Sequence, residues 1–175
     1  MTQTPRERRS IALPDAEATT MMEMPKPGTE HAKLMRFVGT WSGDEQLSES
    51  PWGPGGAARG RAENRSAVDG MAMVQDYVET KGDQVCFRGH GVFSIDPANG
   101  DVLWWWFDSM GFPPDPPARG RWNGDVLLFE KKTPRGEARY RFAYGADTYE
   151  FQIENRFPGQ ADFVVFMKGR YARER

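Results

Sequence analysis

The sequence predicts an all-β protein: a closed antiparallel up-and-down β-barrel of about ten strands, with a short N-terminal helix capping one end. Three observations carry this. First, Val38-Gly39-Thr40-Trp41-Ser42-Gly43 follows a short amphipathic segment. A Gly-x-Trp entering a first strand seats an indole on a barrel floor, and the glycine lets the chain pass close to it. Second, only strand-like segments follow Trp41. Third, their connections are mostly two to four residues of turn chemistry, which makes consecutive strands antiparallel neighbours. Strands in meander order close on themselves and leave no exposed edge.

The elements follow in order. Residues 1–29 are polar, Thr-rich and punctuated by Pro5, Pro14, Pro25 and Pro27, and read as an irregular arm with a helical turn around Ala16–Met22. Residues 30–175 read as the barrel domain. Over Glu30–Phe37, Leu34 with Phe37 and Val38 makes an apolar stripe at helical spacing. The strands are expected at Trp41–Ser48, Arg59–Val68, Met71–Thr80, Gln84–Asp96, Asp101–Ser109, Ala118–Asn123, Asp125–Thr133, Gly136–Tyr144, Thr148–Phe157 and Ala161–Arg173. Asp69-Gly70, Lys81-Gly82-Asp83, Asn123-Gly124 and Pro134-Arg135-Gly136 are among the turns. Two longer loops, Ser50–Ala57 and the Pro-rich Met110–Pro117, are expected to border the mouth of a cavity.

Composition fits a lined interior better than a solid one. Hydrophobic residues are 38% of the chain while aromatics reach 13%, so the apolar side chains are few but large. The net charge of −2, with basic residues interspersed among acidic ones, argues against nucleic acid or an anionic membrane as partner. Cys86 is the only cysteine, so no internal disulfide forms, and it is expected as a small buried apolar residue. No apolar stretch follows Arg6, Arg8 and Arg9, so no signal peptide or membrane span is expected and the location expected is cytoplasmic.

Alternation assigns faces. Tyr149, Phe151, Ile153 and Phe157 oppose Glu150, Gln152, Glu154 and Arg156; Tyr140, Phe142 and Tyr144 oppose Glu137, Arg139 and Arg141. The aromatics are expected toward the lumen. Three runs are apolar on both faces: Val102–Phe107, Val126–Phe129 and Phe163–Met167. Their outer faces need cover, from the N-terminal arm or from another copy of the chain, and a homodimer is the expectation.

Val38-Gly39-Thr40-Trp41, Glu63-x-Arg65, Gly70 before Met73-Val74-x-Asp76-Tyr77, Gly89-His90-Gly91 with Asp96-Pro97, and Trp106-x-Asp108-Ser109 together resemble a bacterial family of unknown function, numbered 1579, over roughly residues 31–172. The resemblance implies a calycin-like barrel, related to lipocalins, fatty-acid-binding proteins and nitrobindins, and brings no established activity. Nitrobindins hold haem through a histidine near the C-terminus. The last strand here has none, so haem is not expected and no cofactor is predicted. Fatty-acid-binding proteins clamp a carboxylate with Arg-x-Tyr, whereas Arg170 and Tyr171 are adjacent and point to opposite faces.

The candidate ligand-binding residues are Trp41, Tyr77, His90, Trp105, Trp122, Tyr140 and Tyr149. His90 shares its face with Cys86, Arg88 and Ser94, and Asp108 shares one with Trp104 and Trp106. Glu63 and Arg65 form a polar pair, lumenal or solvated. No histidine pair or cysteine cluster has metal-ligand spacing, and no nucleophile elbow, phosphate loop or dinucleotide fingerprint is present. Three readings stand. The first is a binding barrel for a small, mostly apolar molecule. The second is an isomerase or hydrolase using His90 with Asp108 or Arg88, which requires those side chains to point inward and meet. The third is a non-catalytic dimeric interaction protein.

Overall fold

The computed structural model describes residues 23–51 and 53–175. The helical turn expected around Ala16–Met22 lies outside the described residues. Residues 23–28 carry no regular structure, and the helix α1 runs over Thr29–Met35.

Ten strands follow: β1 Gly39–Leu47, β2 Gly56–Ala67, β3 Ala72–Lys81, β4 Gln84–Ile95, β5 Val102–Asp108, β6 Ala118–Asn123, β7 Val126–Thr133, β8 Gly136–Tyr144, β9 Thr148–Arg156 and β10 Val164–Arg173. Each pairs antiparallel with its successor, and β1 pairs with β10 to close the barrel. Two-residue turns fix the β3–β4, β6–β7 and β7–β8 registers, and along each strand the alternation becomes an inside and an outside. Two bulges interrupt it, between Glu79 and Thr80 on β3–β4 and between Val165 and Met167 on β9–β10. No helix among the described residues is long and apolar enough to cross a membrane.

One end of the barrel is closed by α1. Three carbonyls in the turn that follows the helix, those of Arg36, Phe37 and Val38, need partners. Trp41 Nε1 and Asn64 Nδ2 donate to the Phe37 carbonyl at 2.7 and 2.8 Å. The Tyr144 hydroxyl donates to the Arg36 carbonyl at 2.8 Å, and Arg173 donates to the carbonyls of Val38 at 2.6 Å and Arg36 at 2.9 Å. Arg173 also lies 4.2 Å over the Trp41 ring. Phe37 packs edge-on against Phe142, Tyr144 and Tyr149. The lower half of the barrel is therefore a packed aromatic core.

Glycines on inner faces make room for these rings. A Cβ on Gly91 would stand 2.9 Å from Trp104 Nε1, and one on Gly60 would stand 2.6 Å from the Tyr171 hydroxyl. Side chains there would drive both rings off the wall.

Candidate functional site

Above the core the barrel opens into a cavity of about 490 Å³. Its mouth is bordered by the Ser50–Ala57 and Met110–Pro117 loops, as expected, together with the β3–β4, β7–β8 and β9–β10 ends. Asp115 straps the Pro-rich loop to the rim through ion pairs with Lys131 at 3.0 Å and with Arg135. Burial opposes ionisation of Asp115, but the two cations outweigh it and hold the carboxyl below the usual range. Arg156 pairs with Glu137 across the rim at 2.7 Å.

The wall is aromatic. Tyr77, Trp104, Trp106, Tyr140, Phe142 and Phe151 all line the cavity. Trp104 and Tyr140 meet edge to face at 4.9 Å. Burial, with the charges of Asp115 and Asp108 nearby, pushes the Tyr140 hydroxyl up to about 12. It thus stays a neutral donor at physiological pH.

A polar ledge sits on the β1–β3 side. Glu45 on β1 is almost fully buried. The Tyr77 hydroxyl donates to it at 2.7 and 2.9 Å, and the Tyr171 hydroxyl donates to the same carboxyl. Burial drives the Glu45 carboxyl up to about 7 against the pull of these two hydrogen bonds, and the charge of Glu79 pushes the same way. The Tyr77 and Tyr171 hydroxyls are pushed well up by burial and by Glu45. Gln75, Glu79 and Asn155 also line the cavity, each at least nine-tenths buried.

The residues expected from sequence divide as follows. Tyr77, Tyr140 and Tyr149 lie on the cavity wall. Trp41 and Trp122 face inward but lie in the floor below the cavity, Trp122 against Phe37 at 6.1 Å. Trp105 is a correction: Trp104 and Trp106 line the lumen, so alternation turns Trp105 outward. His90 and Arg88 are corrections too. Phe87, Gly89, Gly91 and Phe93 take the inner face of β4, and His90 Nδ1 lies 2.7 Å from Asp76 Oδ1 on the outside. The hydrogen bond from His90, followed by that from Arg65, holds the Asp76 carboxyl below its usual range. Arg65 with Glu63 belongs to this outer network. Asp108 does line the lumen, so His90 and Arg88 lie on the opposite side of the wall and no catalytic set of these three assembles. Cys86 is exposed rather than buried. The β3–β4 bulge makes it the extra residue, opposite no partner, and its thiol donates to Glu79 Oε1 at 3.1 Å. Burial, reinforced by Glu79, pushes that thiol up.

Sequence reasoning missed Glu45, Gln75, Glu79 and Trp106. Parity held the signal for three of them. Glu45 is four residues from Trp41, and Gln75 and Glu79 flank Tyr77 at two residues on either side.

Together these features define a class: a calycin-like barrel with a plugged floor and an aromatic lumen open at one end. The chain belongs to the family described as "Protein of unknown function (DUF1579)", whose model matches residues 26–173. It is similar in structure to Rv2717c from M. tuberculosis, with a TM-score of 0.64 and 14% identity over 85% of this chain and 99% of that one. It is also similar to the S-type phycobiliprotein lyase CPES from Guillardia theta, with a TM-score of 0.59 and 10% identity over the same shares. No curated protein matches the sequence. At these identities the likeness speaks for the fold alone.

Proposed function

We propose that this protein binds a small, mostly apolar molecule in the barrel lumen. The supporting observation is the cavity: about 490 Å³, ringed by aromatic side chains, with a few polar groups on one wall. Small-molecule sites typically enclose about 300–1,000 Å³ with this mixture of lining. A barrel evolved only for packing would have its interior filled, as the lower half of this one is.

Native mass spectrometry of the purified protein, followed by denaturing extraction, tests this reading. A retained small molecule that leaves on denaturation is the expected result. Because Phe107 and Leu128 are exposed on the outer faces of β5 and β7, the mass of two chains is expected in the same spectrum, and a single-chain mass would overturn the pairing.

A blocking substitution gives a second check. Ile153 lines the lumen from β9. Ile153→Trp adds bulk inside it without removing a polar group. Uptake of the neutral fluorophore N-phenyl-1-naphthylamine is expected to weaken by about tenfold or more, with the melting temperature little changed. Unchanged uptake by a folded variant would place the probe elsewhere and sink the lumen as the binding site.

A further inference from the structure

The lumen carries more than apolar surface, and its charges are unevenly matched. Four basic side chains border it, and each is occupied. Lys131 and Arg135 pair with Asp115, Arg156 pairs with Glu137, and Lys81 Nζ donates to the Pro54 carbonyl at 3.3 Å. Two of the lining carboxylates, Asp108 and Glu79, form no ion pair among the described residues, and of the two only Glu79 is buried. It is 7% exposed, and its single hydrogen-bond donor is the Cys86 thiol. A buried carboxylate without a counter-charge is costly unless something supplies one.

Glu79 stands at the edge of an aromatic corner. Phe87 is its direct cross-strand partner, and Tyr77 is its neighbour on the inner face of β3. Tyr77 lies 6.2 Å from Phe87 and 6.2 Å from Trp106. Trp106 reaches this corner because Gly89, opposite Tyr77, has no side chain in its way. Three aromatic rings clustered near one carboxylate supply the two elements that hold an ammonium group: rings attract a cation through their quadrupoles and a carboxylate neutralises it. An independent observation points to a ligand in the same lumen. Trp104 Nε1, on the wall of this lumen, is buried and has no hydrogen-bond partner among the described residues. A buried N–H left unpaired by the protein is normally satisfied by something else.

We infer that the lumen selects a lipophilic amine or quaternary ammonium compound, its cationic head held by Glu79, Tyr77, Phe87 and Trp106 and its apolar body lying against Trp104 and Tyr140. This rests on the lumen-binding reading and gives it a substrate class. A fatty acid is the wrong partner. Its carboxylate would meet Glu79, and Arg170, the cation that a clamp at the end of the chain would need, is on the outer face, paired across to Asp44.

The test compares decyltrimethylammonium, decanol and decanoate, three probes with one hydrocarbon chain and different heads, by isothermal titration calorimetry below their micellar concentrations. The expected order is ammonium, then alcohol, then carboxylate, with the ammonium at least about tenfold tighter than decanoate. In Glu79→Gln the ammonium is expected to lose about tenfold while decanol stays within about twofold, the decanol value reporting that the lumen is intact. Decanoate binding as tightly as the ammonium would overturn the charge inference and leave the lumen reading standing. So would unchanged ammonium affinity in Glu79→Gln. Failure of all three probes to bind would overturn both. The wild-type ranking decides the matter even if the variant does not fold.

Discussion

Trp41→Ala is expected to destabilise the protein by about 3–5 kcal/mol, the cost of removing a large aromatic from a packed core. Trp41 is completely buried. It packs edge-on against Tyr149 at 5.1 Å and Tyr144 at 6.0 Å, so its loss opens a void between rings that cannot collapse past a closed sheet. Two polar consequences add to the void. The Phe37 carbonyl loses one of its two donors, keeping Asn64. Arg173 loses the ring it lies over while still holding the carbonyls of Arg36 and Val38. Both weaken the seat of α1, so the floor loosens along with the core. For a chain of this size the loss corresponds to a fall of roughly 10 °C in melting temperature. Trp105→Ala is the matched control: the same residue type, on the outer face, expected to cost about 1 kcal/mol. Urea denaturation of the two variants decides the point. Equal losses would mean that the Gly-x-Trp element does not hold the floor.

This contrast also marks what the sequence made legible. Strand number and order were readable because turn residues recur at short intervals and because β8 and β9 alternate cleanly. The inward placement of Tyr77, Tyr140 and Tyr149 follows from that alternation. Trp105 went to the wrong side because Val102–Phe107 is apolar on both faces, and parity cannot choose between two apolar sets. The choice is made across the strand pair, where Gly89 and Gly91 leave space for Trp106 and Trp104. His90 stands outside because Phe87 and Phe93, on the opposite parity of β4, claim the interior. Cys86 was unreadable for a different reason: a bulge is one extra residue, and nothing local to Gln84–Phe87 announces it.

The polar ledge was harder still. Glu45 shares its face with Trp41, so its inward direction was readable. Its partners were not. Tyr77 and Tyr171 lie 32 and 126 residues away, and only closure of β1 on β10 brings them to one carboxyl. Gly60 and Gly169 complete the frame by leaving space where a Cβ would meet Tyr171. In the sequence each of these glycines is indistinguishable from a turn or flexibility residue.

Glu45 gives the protein a stability that falls as pH rises through the neutral range. Its carboxyl stands at 4.5 when unperturbed and is raised to about 7 in the fold, chiefly by burial. Below about pH 4.5 it is protonated whether the chain is folded or not, and it costs nothing. Between about 4.5 and 7 the unfolded chain has released the proton and the folded chain still holds it. The folded state therefore binds more protons, and stability declines with pH. Above 7 both states are ionised and the full penalty persists, about 3 kcal/mol for a shift of this size. Asp76, Asp96, Asp101 and Asp115 act in the opposite sense and in another window. Their carboxyls are held below the ordinary 3.8, so what they contribute is lost only as pH falls below about 4. Stability is expected to peak between the two windows, near pH 4.5. Glu45→Gln removes the titrating group while its amide still offers the Tyr77 and Tyr171 hydroxyls an acceptor. The variant is expected to match or fall below wild type at pH 4.5 and to gain on it steadily up to pH 7. Urea midpoints of the two proteins at half-unit steps from pH 4.5 to 8 measure the difference, in which every other titrating group cancels. A constant difference across that range would mean that Glu45 titrates at its ordinary value and that the buried Tyr77–Glu45–Tyr171 cluster holds an ionised carboxylate at no cost.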